Sequence, residues 1–419
     1  MKKKSSSDTR MDLDLPTRSG VYRPQYANMV YLRQVGSDYR KAVVDPASYL
    51  LANPDVRQLG GLDVDAVGMD PVERQRLLEV LANLTGKVDD STINTTLRSF
   101  NPDLPPNAVA YLRAGGKDLN VRALDELFAG DHDQVLSVAM DRVEARTALH
   151  LPGALRLSER GTDPALVRLQ HLGIEDLVYV EDFPMLLACL GYKRVPKNET
   201  TQDAEFVTFP KVGDRRDKYP LFVEPYNTEA LIFELDGNRV VDFIEDRLGI
   251  QVPQIENLPK SFAMGALASI HRTKAREKLD SGIRWHDELG AAAWTLMHTI
   301  SHAAIKAAAG LSGFNLTSLA EYVLPGSLRF AITINRTQEN GIGGLHSMFQ
   351  DQLDSFVNRF ESIHKDCLHD PSCMSLRAAC HACLTISETS CRHMNAYLDR
   401  RILYGETNRK GFYAWRAPT

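Results

Sequence analysis

The stretch ACHACLTISETSC, Ala379–Cys391, carries three of the chain's six cysteines, two of them as C-x-x-C at Cys380 and Cys383 and the third at Cys391. Cys367 and Cys373 lie just upstream, so only Cys189 falls outside the window from 367 to 391. A divalent zinc ion takes four ligands in a tetrahedron, and C-x-x-C presents two thiolates from one tight turn. The second pair must come from the flanking cysteines. Five thiols compete for four positions. The expected ligands are Cys373, Cys380, Cys383 and Cys391, with Cys367 as an alternative at the end of the preceding helix. His381 and His369 are possible stand-ins for a thiolate. With four protein ligands no position stays open for water, so the ion is expected to be structural and to contribute on the order of 10 kcal/mol to local folding. A redox C-x-x-C and inert buried thiols are the competing readings, and a thioredoxin-type motif would sit between strand and helix without further cysteines nearby.

Working upstream, Leu345, Phe349, Leu353, Phe356, Phe360 and Ile363 recur at three- and four-residue spacing, one apolar stripe on a helix that runs toward Cys367. WHDELGAAAWTLMHTISHAAIKAAAG, Trp285–Gly310, is alanine-rich, lacks proline and ends on glycine, which predicts a long buried helix. His298 and His302 stand four apart on it and face one way. The metalloprotease pattern needs Glu directly after the first histidine, where this chain has Thr299, so core histidines are preferred over a second metal site. SLRFAITIN reads as a strand, and ENGIGGL as a tight turn. YPLFVE and EALIFEL read as two strands, with Asp236-Gly237 turning the second back. VVDFIEDRLG reads as a short helix. DLVYVEDFPMLLACLGYKRV reads as a short segment followed by a helix-like apolar patch closed by Gly191.

The chain of 419 residues can bury a large core, and 43% hydrophobic with 25% charged residues argues against wholesale disorder. The start, MKKKSSSDTR, reads as a disordered tail, residues 1–20, with no apolar stretch of a secretory signal behind it. No run approaches the length that spans a bilayer, which points to a cytoplasmic protein without membrane association and hence to metal-bound thiols rather than disulfides. Residues 21–165 read as a mostly helical region, with PVERQRLLEVLANLTG, NVRALDELFAGD and DHDQVLSVAMDRVEARTALH as helices and FNPDLPPNA as a connector. Residues 166–419 read as a second domain that holds the zinc segment 367–391. The fold class expected is α+β, helix-rich, with short strands and a C-terminal loop-rich zinc-binding segment.

The net charge of −5 offers no general attraction to nucleic acid. From Arg392 onward, however, six basic residues face only Asp399 and Glu406, interleaved with Tyr404, Phe412, Tyr413 and Trp415. That local excess is what a nucleic-acid groove would need, and a tail packing its aromatics on the body explains it equally well. HRTKAREK, from His271, reads as an ordinary exposed helix face. No phosphate-binding loop of the G-x-x-x-x-G-K-[ST] type and no nucleophile elbow occurs, so the chain is expected not to hydrolyse ATP and not to be an enzyme.

RAACHACLTISETSCRHMNAYLDRRILYG, with its cysteines, the run Glu388-Thr389-Ser390-Cys391, Asn395 and Leu398-Asp399-Arg400, resembles the zinc-binding C-terminal domain of unknown function attached to MrfA-type DNA helicases. The same domain makes up much of the DrmB-like helicase partners in the DISARM anti-phage system. WTLMHTISHAAIKAAAGL resembles the family's His-Thr-x-x-His helix, NRTQENGIGGL its glycine-rich turn, and EPYNTEALIFELDGNRVVDFI its segment starting with Thr-Glu. The resemblance covers roughly residues 170 to 410. It implies a non-catalytic, zinc-stabilised subunit of a complex, partnered by a superfamily-two DNA helicase and engaging DNA through that complex in antiviral defence. Arg400, Arg401, Arg409 and Lys410 would then face phosphates. The alternatives are a metal-dependent nuclease or hydrolase using His298 and His302, and a thiol redox or protein-interaction module.

Overall fold

The computed structural model describes residues 23–31, 36–52, 127–128, 130–194, 205–209, 220–255, 258–277, 285–335, 343–363, 365–376, 378–387, 390–406 and 408–416. The N-terminal tail, the helix expected at PVERQRLLEVLANLTG, the connector FNPDLPPNA and most of NVRALDELFAGD lie outside them, as does most of the glycine-rich turn. The strands are β1 (Arg23–Val30), β2 (Leu155–Arg156), β3 (Ile174–Arg194), β4 (Glu205–Thr208), β5 (Phe222–Leu235), β6 (Leu319–Leu324), β7 (Arg329–Ile334), β8 (Gly405–Glu406) and β9 (Arg409–Lys410). The helices are α1 (Gly36–Val44), α2 (Pro46–Ala52), α3 (His132–Leu149), α4 (Pro164–His171), α5 (Gly237–Leu248), α6 (Lys260–Glu277), α7 (Trp285–Ala308), α8 (Gly344–Asp351), α9 (Leu353–Ser362), α10 (Ser372–Leu376) and α11 (Arg401–Tyr404). Helix outweighs strand among the described residues, a mixed α+β fold as the sequence reading expects. None of their helices is long and apolar enough to cross a membrane.

Two units emerge from the chain's contacts. The smaller comprises residues 1–31 and 184–227. In it the second half of β3 pairs antiparallel with β1, from Arg23 opposite Lys193 to Val30 opposite Met185, and with β4.

The larger unit, residues 32–183 and 228–419, is organised around a sheet in which β7 pairs antiparallel with both β5 and β6. Every residue of β6 and β7, and of β5 from Thr228 on, is buried on both faces. Helix α7 packs against β6 and β7 and against α5, α6 and α9. A helix enclosed on all sides must keep its side chains small where neighbours come close, which accounts for its alanines. The tightest point is Gly290, where a Cβ would lie 2.4 Å from the carbonyl oxygen of Leu267 on α6. Trp294, Leu296, Met297 and Ile300 supply the apolar bulk of the same helix.

Charge is also buried in this core, with each group below bonded to a partner. Arg329 bonds Glu234 across β7 and β5 at 2.7 Å, and Arg156 bridges Glu234 and Asp176 at 2.9 and 3.1 Å. On the helix side Arg142 donates to the carbonyl of Gly326, and Arg272 reaches Asp141 at 3.0 Å.

Four local readings are corrected. The apolar patch Met185–Leu190 is strand rather than helix, part of the continuous β3. Pro184 disfavours helical backbone at Phe183, and a short apolar run cannot be told from a buried strand by periodicity alone. YPLFVE and EALIFEL belong to one strand, β5. Asp236-Gly237 starts a helix instead of a hairpin: the Asp236 carboxylate accepts the N–H groups of Asn238 and Arg239, both at 3.1 Å, an N-cap on α5. The stripe from Leu345 to Phe360 is buried as expected, but its helix is broken at Gln352 into α8 and α9.

Substituting Gly290→Val forces two helices apart where backbone meets backbone. The expected loss is about 1–3 kcal/mol of unfolding free energy, the usual cost of overpacking a closed core, read by urea denaturation. An unchanged midpoint would refute the close approach of α6 and α7.

Candidate metal centres

Four of the five clustered cysteines come together: Cys367, Cys373, Cys380 and Cys383 place their sulfurs within 4.8 Å of one another. Cys373 rides on α10, and Cys380 and Cys383 flank a turn in which the Cys380 carbonyl accepts the N–H groups of Cys383, Leu384 and Thr385. The Sγ separations are 3.5 Å for Cys367 and Cys380, 3.7 Å for Cys373 and Cys383, and 3.7 Å for Cys380 and Cys383. A tetrahedral zinc with Zn–S bonds of about 2.3 Å holds its sulfurs about 3.8 Å apart. The site therefore has the dimensions of a tetrathiolate metal centre. The N–H of Cys380 points at the sulfur of Cys383 at 3.1 Å, and that of His369 at the sulfur of Cys367 at 3.4 Å. Such N–H···S contacts favour the thiolate, the form that binds metal.

Buried cations complete this site. Lys306, on α7, is 7% exposed and donates to the carbonyl of His381 at 3.0 Å. Burial lowers its pKa, while the neighbouring Cys383, Cys380 and Cys367 pull it back up. Arg400 is fully buried, donates to the carbonyl of Lys365 and pairs with the Asp370 carboxylate, which also accepts the N–H of Cys367 at 3.0 Å. Four thiolates around a divalent ion leave two negative charges, and two enclosed cations beside them reduce the cost of burying that excess.

Cys391 stands elsewhere. It joins His298 and His302 of α7 and Glu321 of β6 in a second group whose donor atoms also lie within 4.8 Å, every member buried. His298 Nε2 is 3.1 Å from Glu321 Oε1 and 3.3 Å from Cys391 Sγ, and His302 Nε2 is 3.4 Å from Glu321 Oε2. Backbone pairing sets the meeting point, since the N–H of Glu321 donates to the carbonyl of Ser390 at 3.0 Å.

Of the expected ligands, then, Cys373, Cys380 and Cys383 share one group, Cys367 completes it, and Cys391 lies in the other. His369 and His381 are exposed, their rings edge to face at 5.1 Å, and belong to neither group. Of the residues expected at phosphates, Arg400 is enclosed in the four-cysteine segment and Arg401 grips Asp399 through both carboxylate oxygens at 2.9 and 2.8 Å. Only Arg409 and Lys410, on β9 of the β8–β9 hairpin, are exposed. Glu321 and Lys306 are site residues that the sequence reading does not single out. Their signals are a lone acid inside the apolar run LAEYVL, and a lysine four residues beyond His302 on the helix face that already carries His298.

Cys380 has its pKa pushed down to about 6: burial raises it, but the N–H of Cys383, the thiol of Cys367 and the N–H of Ala382 outweigh that. A thiol depressed on folding contributes stability that is complete above its unfolded value and is lost as pH falls through the folded one. In metal-stripped protein, iodoacetamide labelling of Cys380, followed by peptide mass spectrometry, should be half-maximal near pH 6. Cys373 and Cys383, whose thiols burial pushes up, should label only in alkali. A Cys380 profile centred at its ordinary value of 9.0 would contradict the assigned hydrogen bonds.

No protein-family model matches the chain. A curated relative, the DISARM protein DrmB of Bacillus paralicheniformis (strain ATCC 9945a / NCIMB 11709 / CD-2), is 30% identical over 123 residues. The match covers 26% of this chain and 22% of the relative, so the chain spans about a fifth of the length of the curated protein it matches. The sequence is thus similar to part of a DISARM protein.

Proposed function

We propose that the chain is a zinc-stabilised, non-catalytic subunit of a DISARM-related anti-phage defence complex, docking on a superfamily-two DNA helicase and helping it engage DNA. The observation that carries the reading is the four-cysteine group at zinc-site dimensions in a chain that is similar to part of a DISARM DrmB. Zinc suits the site because four thiolates in a near-tetrahedral arrangement select a soft or borderline ion without geometric preference of its own. The role of that ion is structural. Sulfur fills all four positions, and substrate has nowhere to bind.

The DNA-facing part of the proposal falls to Arg409 and Lys410. Both project from a short hairpin next to Phe412, Tyr413 and Trp415, which are buried and hold the hairpin's base. A rigid base with two exposed cations can place charge against phosphate without ordering a long tail. Arg400 has no share in this, because its guanidinium is committed to Asp370 and Lys365.

The test is a gel shift and an ATPase assay on the partner helicase, with and without this chain. The chain should raise the helicase's DNA affinity or its DNA-stimulated turnover. A double variant, Arg409→Ala with Lys410→Ala, should weaken DNA binding by the complex and reduce the slope of log affinity against log salt by about 0.9 for each phosphate left without its cation on duplex DNA. A chain that changes neither the affinity nor the turnover of the helicase would sink the proposal.

A further inference from the structure

The second group differs from the first in chemistry. His298 and His302 have their Nδ1 atoms 2.8 Å from the carbonyl of Ala396 and 2.9 Å from that of Leu384. A carbonyl only accepts, so each Nδ1 carries the proton and each Nε2 of the neutral ring presents a lone pair. Both lone pairs face the same small volume, which Glu321 and Cys391 also enter. The Nε2 of His302, buried without a hydrogen-bond partner, sits 3.4 Å from a carboxylate oxygen. Two acceptors at that distance with nothing between them repel, and an enclosed unsatisfied nitrogen is costly.

The sulfur is prepared in the same way. Cys391 Sγ accepts the N–H groups of His393 and Asn395, both at 3.3 Å. To aim them, Met394 and Asn395 take left-handed backbone at φ 55°, which costs Met394 about 1 kcal/mol or more, while asparagine tolerates it better. The side chain of Asn395 locks the turn by bonding both the N–H and the carbonyl of Ile386 at 2.9 and 3.0 Å. Ser301, one turn along α7, holds Glu321 Oε2 at 2.5 Å.

We infer that His298, His302, Glu321 and Cys391 bind a second divalent metal ion of the zinc class, held by two nitrogens, one oxygen and one sulfur. Tetrahedral zinc with bonds of about 2.0–2.3 Å keeps such donors about 3.3–3.6 Å apart, close to the spacings observed. One carboxylate and one thiolate balance the charge of a divalent ion, so the buried site closes electrically neutral. The backbone carbonyls on Nδ1 are the outer partners that fix ligand tautomer and ring orientation in metal-binding histidines. Four protein donors leave no water position, so the ion is structural, and a hydrolytic role for His298 and His302 has no coordination site to use. The two centres share one chain segment. Cys383 ligates the first ion, and the carbonyl of Leu384, the next residue, orients His302 for the second.

The full chain, purified under reducing conditions with zinc in the growth medium, should contain two equivalents of zinc per chain by mass-spectrometric metal analysis. Cys391→Ser and His302→Gln should each remove one equivalent and leave the tetrathiolate equivalent in place. Ser301→Ala, which touches no metal, should keep both ions but weaken the second by about 10- to 100-fold in competition with a chelator. Should the ligand variants not fold, cobalt loading of the unaltered chain decides. Two distinguishable visible band sets are expected, one with strong tetrathiolate charge transfer and one with weak, single-thiolate character. Saturation at one equivalent with only the tetrathiolate bands, or a zinc content of one, overturns the inference while leaving the proposed function intact.

Discussion

Helix α7 presents His298, His302 and Lys306 on one face, toward the cysteine-bearing segment, and the rest of the larger unit depends on how that face is neutralised. From Leu296 to Ala308 every residue of the helix is buried, so water cannot stabilise these groups. Each donates to a backbone carbonyl of the segment that follows α9: Lys306 to that of His381, His302 through Nδ1 to that of Leu384, His298 through Nδ1 to that of Ala396. The polar face of the helix and the path of the cysteine segment therefore specify each other. Neither could be redrawn alone without stranding a charge or a ring nitrogen in the core.

The apolar cluster around the four-cysteine group is small: its buried members are Cys373, Cys383, Leu384 and Leu398, two of them the cysteines themselves. By contrast α7 packs Trp294, Met297, Ile300 and Ile305 into a core shared with the central strands. The same core takes in Ile386, Cys391, Ile402 and Leu403 of the cysteine-bearing segment, so the segment joins the body through apolar burial as well as through polar groups.

Much of this is legible in the residues. The long alanine-rich helix, the buried stripe from Leu345 to Phe360 and the strand at SLRFAITIN follow from periodicity and composition, because those features are local. The grouping of the cysteines is legible only in part. Spacing shows that five thiols can reach one ion, but which four do so depends on β6, whose Glu321 N–H draws Ser390, and with it Cys391, to another place. Arg400 is a similar case. A charge count along the tail treats it as equal to Arg409, yet Asp370, thirty positions earlier, takes its guanidinium inside. Long-range pairing of that kind leaves no periodic trace. The strand β3 escapes a sequence reading for a different reason, since an apolar run without alternation is equally consistent with a buried strand and a buried helix.

Placing two candidate metal-ligand sets on one segment has a mechanical consequence. The four-cysteine group sits before the Leu384 carbonyl and the mixed histidine, glutamate and cysteine group after it, so the residues between Cys383 and Cys391 are held at both ends to α7 and β6. The left-handed turn at Met394 and Asn395 and the hairpin that follows α11 continue from this frame, with the Ala396 carbonyl bonded to His298 of α7. The exposed cations at Arg409 and Lys410 extend from that frame, with Phe412 anchored under Arg239 of α5, whose guanidinium lies 4.9 Å over its ring. The surface charge of Arg409 and Lys410 is thus tied to the body both by bonds to backbone carbonyls and by apolar contact, since Ile402, Leu403, Phe412, Tyr413 and Trp415 belong to the main core.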